Sequence, residues 1–341
     1  MVAQIDPVML EKRRGKVLGR LVAWGLIEGR PLTTKGQWIN PVVFALYRAA
    51  QLFPLRKGSD EPIFILGTGR SGTTILGKLF AMHQETVFLN EPKAAWHFIH
   101  GEEDLAGSYS QGPARIRLQA DEAKPRMARK LAAIYSWAMR GGLARKVVDK
   151  YPELIFRLPF VQALFPKARF IAIVRDGVDT CASVTNWSRR KGDNVGGELH
   201  DWWGRDGRKW DLIVEQLVPE HGDLAPLQEL LRKARIHQDR AAVEWIISMR
   251  EAQRVAEAYP DTLLAVRYEE LCLRPDEVLT EMLSHCGLSE DPVFRDYAKD
   301  VLQAAEAYDE LRLMPELVGP FKATLVDMGY PESCERVVER T

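Results

Sequence analysis

The stretch that decides the fold is PIFILGTGRSGTTILGKLF, residues 62–80. It begins with a continuous apolar run over residues 63–66, which predicts a short buried β-strand. Glycines follow at once, and apolar residues then recur at positions 75, 76, 79 and 80, a spacing typical of a helix. The sequence therefore predicts a strand, a glycine-rich loop and a helix in direct succession.

The loop inside this stretch, residues 67–74, has the G-x-x-x-x-G spacing of a phosphate-binding loop. Glycines allow the backbone to curl around an anion, and the N–H groups at the start of the next helix then point toward it. A nucleotide kinase would carry a lysine after the second glycine, where this chain has Thr73, and the cation of the loop is instead Arg70. This difference favours a 5′-phosphosulfate over the γ-phosphate of ATP.

Four further apolar runs predict additional strands. The clearest covers residues 169–174 and is followed by Arg175-Asp176-Gly177 and a helix-like stretch, and the others cover residues 86–89, 147–148 and 263–266. Continuous apolar strands that alternate with helices are typical of a parallel sheet covered on both faces. The sequence therefore predicts an α/β fold of the P-loop type, a three-layer sandwich with a central parallel sheet flanked by helices.

The first 60 residues have a different character. Residues 9–29 mix basic and apolar side chains as in a basic amphipathic helix, and a second apolar helix is predicted over residues 41–53, ending at Pro54. We therefore expect a helical N-terminal extension over residues 1–60 and a single domain over residues 61–341. The first helix either packs on this domain or makes a peripheral membrane contact.

The overall composition excludes several classes of protein. Forty-seven basic residues balance 47 acidic ones, so no global field favours binding to nucleic acid. Arg20 interrupts the apolar stretch of residues 17–27 and no small-residue cleavage site follows, so we expect neither export nor a membrane span, and a cytoplasmic location. The four cysteines show neither a C-x-x-C pair nor metal-ligand spacing with the histidines, so no metal site is predicted.

Beyond these physical patterns, the segment Arg70-Ser71-Gly72-Thr73-Thr74 resembles the sulfotransferases that use 3′-phosphoadenosine 5′-phosphosulfate (PAPS), nearest to their protein-tyrosine and bacterial carbohydrate-type branches. The resemblance runs over residues 63–330. It implies PAPS as donor, 3′-phosphoadenosine 5′-phosphate (PAP) as product, no required metal, and a hydroxyl acceptor that is a carbohydrate, peptide, lipid or small molecule. The residues expected to bind the 5′ end of the nucleotide are Gly69, Arg70, Ser71, Gly72, Thr73 and Thr74.

Further matches to this family predict the rest of the site. Arg175, at the end of a strand, and Ser183, eight residues later, match the 3′-phosphate site, where both can reach one phosphate group. Tyr268 matches a tyrosine that contacts the cofactor. Glu91 matches the catalytic glutamate, the base for the acceptor hydroxyl. Lys150 matches the lysine near the transferring group, and with Arg70 it would counter charge during in-line displacement at sulfur.

Several alternatives stay open at this stage. A P-loop kinase could hold magnesium through Asp149 or Asp176, and a non-catalytic nucleotide-binding protein could dock to a membrane through residues 9–29. The segment of residues 187–210 carries four tryptophans, which either form part of an acceptor cleft or lid, or anchor a long loop by packing. The acceptor and the oligomeric state are not predicted.

Overall fold

A central parallel sheet organises the protein in a computed structural model, which describes residues 2–195, 197–303 and 307–340. The strands are β1 (Ile63–Gly67), β2 (Thr86–Asn90), β3 (Lys146–Lys150), β4 (Arg169–Val174), β5 (Asp193–Val195), β6 (Glu198–Asp201), β7 (Gly204–Arg205), β8 (Leu263–Arg267), β9 (Leu311–Leu313) and β10 (Val337–Glu339). The main sheet has the order β2-β3-β1-β4-β8, and all its neighbours are parallel. The five apolar runs of the sequence form these five strands, which confirms the predicted fold.

Helices surround this sheet. They are α1 (Pro7–Lys12), α2 (Arg14–Val22), α3 (Asn40–Ala50), α4 (Thr73–Met82), α5 (Lys93–Ile99), α6 (Pro125–Gly141), α7 (Leu158–Leu164), α8 (Gly177–Lys191), α9 (Arg208–Leu212), α10 (Gln228–Arg232), α11 (His237–Ala258), α12 (Tyr268–Leu273), α13 (Pro275–Cys286), α14 (Pro292–Val301) and α15 (Pro315–Asp327). Among the described residues, none of the helices combines the length and the apolar character needed to span a bilayer.

The strands are apolar without interruption because both faces of the sheet are covered. In β1, Phe64 and Leu66 enter a core shared with α6, α7 and α11, whereas Ile63 and Ile65 enter a second core shared with α4, α13 and α14. All four side chains are fully buried. Burial of one such side chain stabilises the fold by roughly 1.5–3 kcal/mol, so the two cores hold the sheet as the middle layer of a three-layer sandwich.

The basic helix expected over residues 9–29 differs from the prediction. It is divided at Arg13 into α1 and α2, and a π-helical turn, Ala23–Ile27, continues α2. Two of its basic residues point inward to the edge strand β2: Lys16 donates to the Thr86 carbonyl at 2.5 Å, and the Arg20 guanidinium donates to the Phe88 carbonyl at 2.9 Å. An edge strand leaves backbone carbonyls unpaired, and these side chains satisfy them. The burial lowers the pKa of Lys16 to about 7.

The second N-terminal helix, α3, begins one residue before the predicted range of 41–53 and ends three residues before its end, at Ala50. It packs through Val43 and Tyr47. The boundary that we expect between residues 60 and 61 stays a prediction. Two small sheets complete the described chain: β5, β6 and β7 are antiparallel, and β9 pairs with β10 in parallel.

Candidate active site

The glycine-rich loop connects β1 to α4 at the carboxyl edge of the sheet, as expected. Arg70 has φ 71°, and Gly72 has φ 100° immediately before the first residue of α4. A Cβ atom on Gly72 would lie 2.3 Å from Cδ2 of Tyr268, so both the backbone angle and the close approach require glycine. The first-turn N–H groups of α4 have no partner within the helix and are oriented to receive an anion. The Ser71 hydroxyl, in contrast, donates to the Thr68 carbonyl inside the loop.

Arg70 connects this loop to the second predicted anion site. Its Nε donates to Ser183 Oγ at 3.1 Å, and its carbonyl accepts from Arg175 Nη1 at 3.1 Å. The guanidinium of Arg175 lies 4.7 Å from the ring centroid of Tyr268. The structure therefore brings together all four residues, although they come from three separate segments of the sequence.

Two guanidinium groups at this place, the buried one of Arg175 and the more exposed one of Arg70, have no counter-ion among the described side chains. Within the described ranges, no carboxylate oxygen lies within 4.0 Å of a guanidinium nitrogen of Arg70 or Arg175. The Nε of Arg175 is buried without a hydrogen-bond partner, and burial together with the charge of Arg175 lowers the pKa of Arg70. Burying an unpaired charge is costly unless a ligand neutralises it. The residues present thus fit a ligand with at least two anionic groups.

Glu91 and Lys150 meet at the ends of adjacent strands. Asn90 is in register with Lys150 in the β2–β3 pair, and the Glu91 N–H donates to the Lys150 carbonyl at 2.7 Å. Lys150 Nζ lies 2.5 Å from Glu91 Oε1, with the lysine side chain 2% exposed and the glutamate side chain 37% exposed. Glu91 also has a positive φ of 50°, an uncommon backbone angle for a residue with a side chain, as often found at functional sites.

The electrostatic environment keeps Glu91 ionised. Burial alone raises the pKa of its carboxyl, but the charges of Lys150 and Lys93 outweigh this effect and hold the pKa below its ordinary value. Lys93 Nζ lies 3.6 Å from the second carboxylate oxygen of Glu91. The group is therefore a carboxylate at neutral pH and can accept a proton.

A cavity of about 250 Å³ joins the loop to this ion pair. Its lining includes Gly69, Arg70, Thr73 and Thr74 of the loop together with Asn90, Glu91, Lys93 and Lys150. Residues 31–33 of the N-terminal extension contribute another wall. Arg175, Ser183 and Tyr268 lie outside this lining, and Arg70 connects Arg175 and Ser183 to it. The cavity and the Arg175 site thus lie on two sides of one arginine.

A chain of alternating charges continues from Glu91 along the cavity, and sequence reasoning missed it. Lys93 lies 3.4 Å from Glu153, Glu153 lies 3.2 Å from Lys209, and Lys209 lies 2.6 Å from Glu244. Burial raises the pKa of Glu153, but the two lysines beside it lower that pKa more strongly, so the carboxyl stays ionised. These residues come from four distant segments without a motif, and the only sequence signal was that Lys93 and Glu153 stand close to Glu91 and Lys150.

The four tryptophans of residues 187–210 divide into two pairs. Trp187 and Trp202 line the cavity with their ring centroids 5.3 Å apart, and a Cβ on Gly69 would lie 2.3 Å from Cη2 of Trp202. Trp203 and Trp210 are fully buried and pack edge to face. The packing interpretation thus describes Trp203 and Trp210, whereas a role of Trp187 and Trp202 in an acceptor cleft stays a prediction. Gly196, within the same segment, lies outside the described residues.

Neither aspartate of the kinase alternative is placed as a magnesium ligand. Asp149 is fully buried and accepts hydrogen bonds from Trp96 Nε1 at 2.9 Å and from the Tyr135 hydroxyl at 2.6 Å. Burial raises its pKa to about 7. Asp176 caps α8 by accepting from the Asp179 N–H at 3.0 Å. In the described part of the chain, no group of three or more His, Cys, Asp or Glu residues is arranged to hold a metal ion.

The fold and the loop define an α/β protein of the P-loop class. Residues 62–228 match the model of the sulfotransferase family, and they contain Arg70, Glu91, Lys150, Arg175 and Ser183. This part of the chain, just under half of its 341 residues, is therefore similar to the sulfotransferases. No curated protein matches the sequence.

Several solved structures are similar to this chain. A sulfotransferase from Alicyclobacillus acidocaldarius is 17% identical, with 82% of this chain and 97% of that chain covered and a TM-score of 0.43. The sulfotransferase STF9 from Mycobacterium avium is 11% identical, with 96% and 87% covered and a TM-score of 0.45. The mouse sulfotransferase SULT7A1, complexed with PAP, is 12% identical, with 80% and 76% covered and a TM-score of 0.36.

Proposed function

We propose that this protein transfers the sulfuryl group of PAPS to an acceptor hydroxyl by in-line displacement, without a metal. One observation carries the proposal: Arg70 contacts Arg175 and Ser183 on one side and shares a cavity with Glu91 and Lys150 on the other. A donor with phosphate groups at both ends and a reactive centre at one of them matches this arrangement.

The nucleotide would lie along the carboxyl edge of the sheet. The loop amides and the hydroxyls of Thr73 and Thr74 would bind its 5′ end, because an anion is stabilised at the start of a helix. Arg175 and Ser183 would bind the 3′-phosphate, and Tyr268, beneath the Arg175 guanidinium, would support this contact. The guanidinium groups of Arg70 and Arg175 would then have counter-ions, which the described side chains do not supply.

Bound PAPS would supply an activated sulfuryl group, and the side chains of this protein would do the rest. Glu91 would take the proton of the acceptor hydroxyl at a carboxylate oxygen. Arg70 and Lys150 would stabilise the negative charge that develops on the transferring and leaving groups. Lys150 is shared between these tasks: as it turns toward the leaving group it releases Glu91, whose pKa then rises, so that the carboxylate becomes a stronger base when the proton is transferred.

Calorimetry with PAP, AMP and ATP tests the nucleotide part. The 3′-phosphate should make two charge-assisted contacts of roughly 1.5–3 kcal/mol each, so PAP should bind at least about 100-fold more tightly than AMP. Arg175→Met should abolish this preference. Arg169→Met is the matched control, because Arg169 starts the same strand at the opposite edge of the sheet and donates to the Asp261 carbonyl. Equal affinities for PAP and AMP would contradict the proposal.

Transfer from labelled PAPS to a panel of carbohydrates, peptides, lipids and small hydroxyl compounds tests the chemistry. Transfer that needs no added magnesium would support the proposal. Magnesium-dependent phosphoryl transfer from ATP would identify a kinase instead. Tight PAP binding without transfer to any acceptor would identify a non-catalytic nucleotide-binding protein.

A further inference from the structure

Helix α3 carries an apolar stripe on the side that faces away from the protein. Its inner side packs through Val43, Tyr47 and Ala50, which are buried. The opposite side presents Val42, Ala45 and Ala49 at i, i+3 and i+7, which places them in one row, and this row is continued by Trp38 in the 3-10 turn before the helix and by Leu52 in the turn after it. We name this row, extended by the next residue, the α3 stripe; it consists of Trp38, Val42, Ala45, Ala49, Leu52 and Phe53.

The α3 stripe is unusually exposed for side chains of this kind. Trp38 is 82% exposed, Leu52 85%, Phe53 53% and Val42 49%. Single exposed apolar residues are ordinary, but a contiguous apolar row of this size is typical of an interaction site. Phe53 meets the edge of Trp137 on α6 at 5.6 Å, so the apolar surface extends onto the neighbouring helix.

Positive charge surrounds the α3 stripe. Residues 29–59 contain five basic residues and no acidic residue, and residues 123–148, which include α6, contain seven basic residues and no acidic residue. Arg48 and Lys57 are exposed, and Arg140 of α6 donates to the Pro54 carbonyl at 2.6 Å, which places its charge beside the stripe. The chain as a whole has no net charge, so these two segments are more positive than the rest of the chain.

We propose that the α3 stripe docks the protein on a bilayer that contains anionic lipids. An apolar row flanked by cations matches the two layers of such a surface, acyl chains below and negative headgroups above, and a tryptophan such as Trp38 is a typical residue at this boundary. This contact lies on α3 rather than on residues 9–29, two of whose basic side chains, Lys16 and Arg20, bind backbone inside the protein.

The α3 stripe is also close in sequence to the cavity. Residues 31–33 line the cavity, and Trp38 follows five residues later. The connection is held in place by Asn40, whose side chain accepts from the Arg30 N–H at 2.8 Å and donates to the Arg30 carbonyl at 3.0 Å. Docking through α3 would therefore hold one wall of the cavity near the lipid surface, where an amphiphilic acceptor would be concentrated.

Vesicle flotation tests the docking directly, without any need for enzymatic turnover. The full chain should float with vesicles that contain phosphatidylglycerol, bind pure phosphatidylcholine vesicles much more weakly, and dissociate as salt is raised. Each basic residue near an anionic surface contributes about 1 kcal/mol, so Arg48→Glu with Lys57→Glu should weaken binding by more than about tenfold. Leu52→Ser with Phe53→Ser should weaken binding to a similar degree, because the acyl contact is lost.

Two matched variants serve as controls for these changes. Leu273→Ser alters a leucine that is 76% exposed on α12, and Arg235→Glu reverses an exposed charge outside the two acid-free segments. Both should float like the unchanged protein, and circular dichroism should report the same fold for all variants. Equal flotation of the stripe variants and the controls would overturn the proposal. Absence of vesicle binding, together with a dimer that the Leu52 and Phe53 changes dissociate, would assign the stripe to a second copy of the chain instead.

Discussion

Replacing Glu91 by glutamine is the most direct test of the proposed mechanism. Glutamine has nearly the same shape, but it cannot accept the acceptor proton. Loss of a positioned general base lowers turnover by roughly 10²- to 10⁴-fold, which corresponds to about 3–5 kcal/mol in the barrier. We therefore expect kcat at saturating PAPS to fall at least about 100-fold, whereas the affinity for PAP should change little.

The same change has a smaller effect on stability. Breaking a fully buried ion pair costs roughly 3–5 kcal/mol, but Glu91 is partly exposed and Lys93 is held by Glu153 as well. Solvent screening therefore reduces the expected loss to about 1–2 kcal/mol. The pKa of Glu91 is lower in the folded protein than in the unfolded chain, so this loss should be full at neutral pH and should disappear as pH falls below about 4.

The assay is single-turnover transfer from labelled PAPS, combined with thermal unfolding to show that the variant is folded. Glu153→Gln is the matched control, because it removes a carboxylate from the same chain of charges, three residues after Lys150, the last residue of strand β3. Its turnover should fall less than about tenfold. Full turnover of Glu91→Gln, or an equal loss in the two variants, would refute the assignment of Glu91 as the base.

Three further changes test other parts of the structure. Gly72→Ala should abolish PAP binding in calorimetry, because the new Cβ meets a tyrosine ring and the backbone angle is strained, whereas Gly319→Ala, with open space around it, should bind PAP normally. Trp202→Ala should raise the acceptor KM about tenfold with little change in melting temperature, because Trp202 lines the cavity. Trp203 is fully buried, so Trp203→Ala should instead lose roughly 3–5 kcal/mol of stability. The reverse pattern would show that we have assigned the two rings wrongly. Burial raises the pKa of Asp149 to about 7, so this group stabilises the fold most at low pH and loses that contribution as pH rises toward 7. In denaturant titrations, the stability of Asp149→Asn relative to the unchanged protein should therefore rise by up to about 4 kcal/mol between pH 4 and 8. A stability difference that stays constant with pH would contradict the raised pKa.

The sheet could be predicted because each of its strands contains a continuous run of apolar residues. Strand β3 shows where this signal weakens: only residues 147–148 were expected, yet the strand spans Lys146–Lys150. Its last two residues are polar and still buried, because Trp96 and Tyr135 donate hydrogen bonds to Asp149 Oδ2 and Lys150 forms an ion pair with Glu91. A local pattern of apolar residues cannot predict that a polar residue is buried, when its hydrogen-bond or ion-pair partners come from elsewhere in the chain.

The candidate site was predicted where motifs are local and missed where they are not. The loop and Arg175 with Ser183 follow from spacing within single segments. Lys209, however, reaches the cavity, and Glu244 reaches Lys209, only because the fold brings together helices that are far apart in sequence. The same holds for the division at Arg13 in the N-terminal helix, where the Arg13 side chain donates to the Met82 carbonyl and to Asp291, both distant in sequence.

The row of charged side chains from Lys150 to Glu244 has a bearing on which acceptors the cavity can admit. Three ammonium groups and three carboxylates alternate along it, so the row is electrically neutral before any acceptor enters. An acceptor that placed a net charge against this row would leave that charge, or one of the six, without a counterpart within the row. An uncharged hydroxyl compound would leave the alternation intact, so we expect the row to select against charged acceptors.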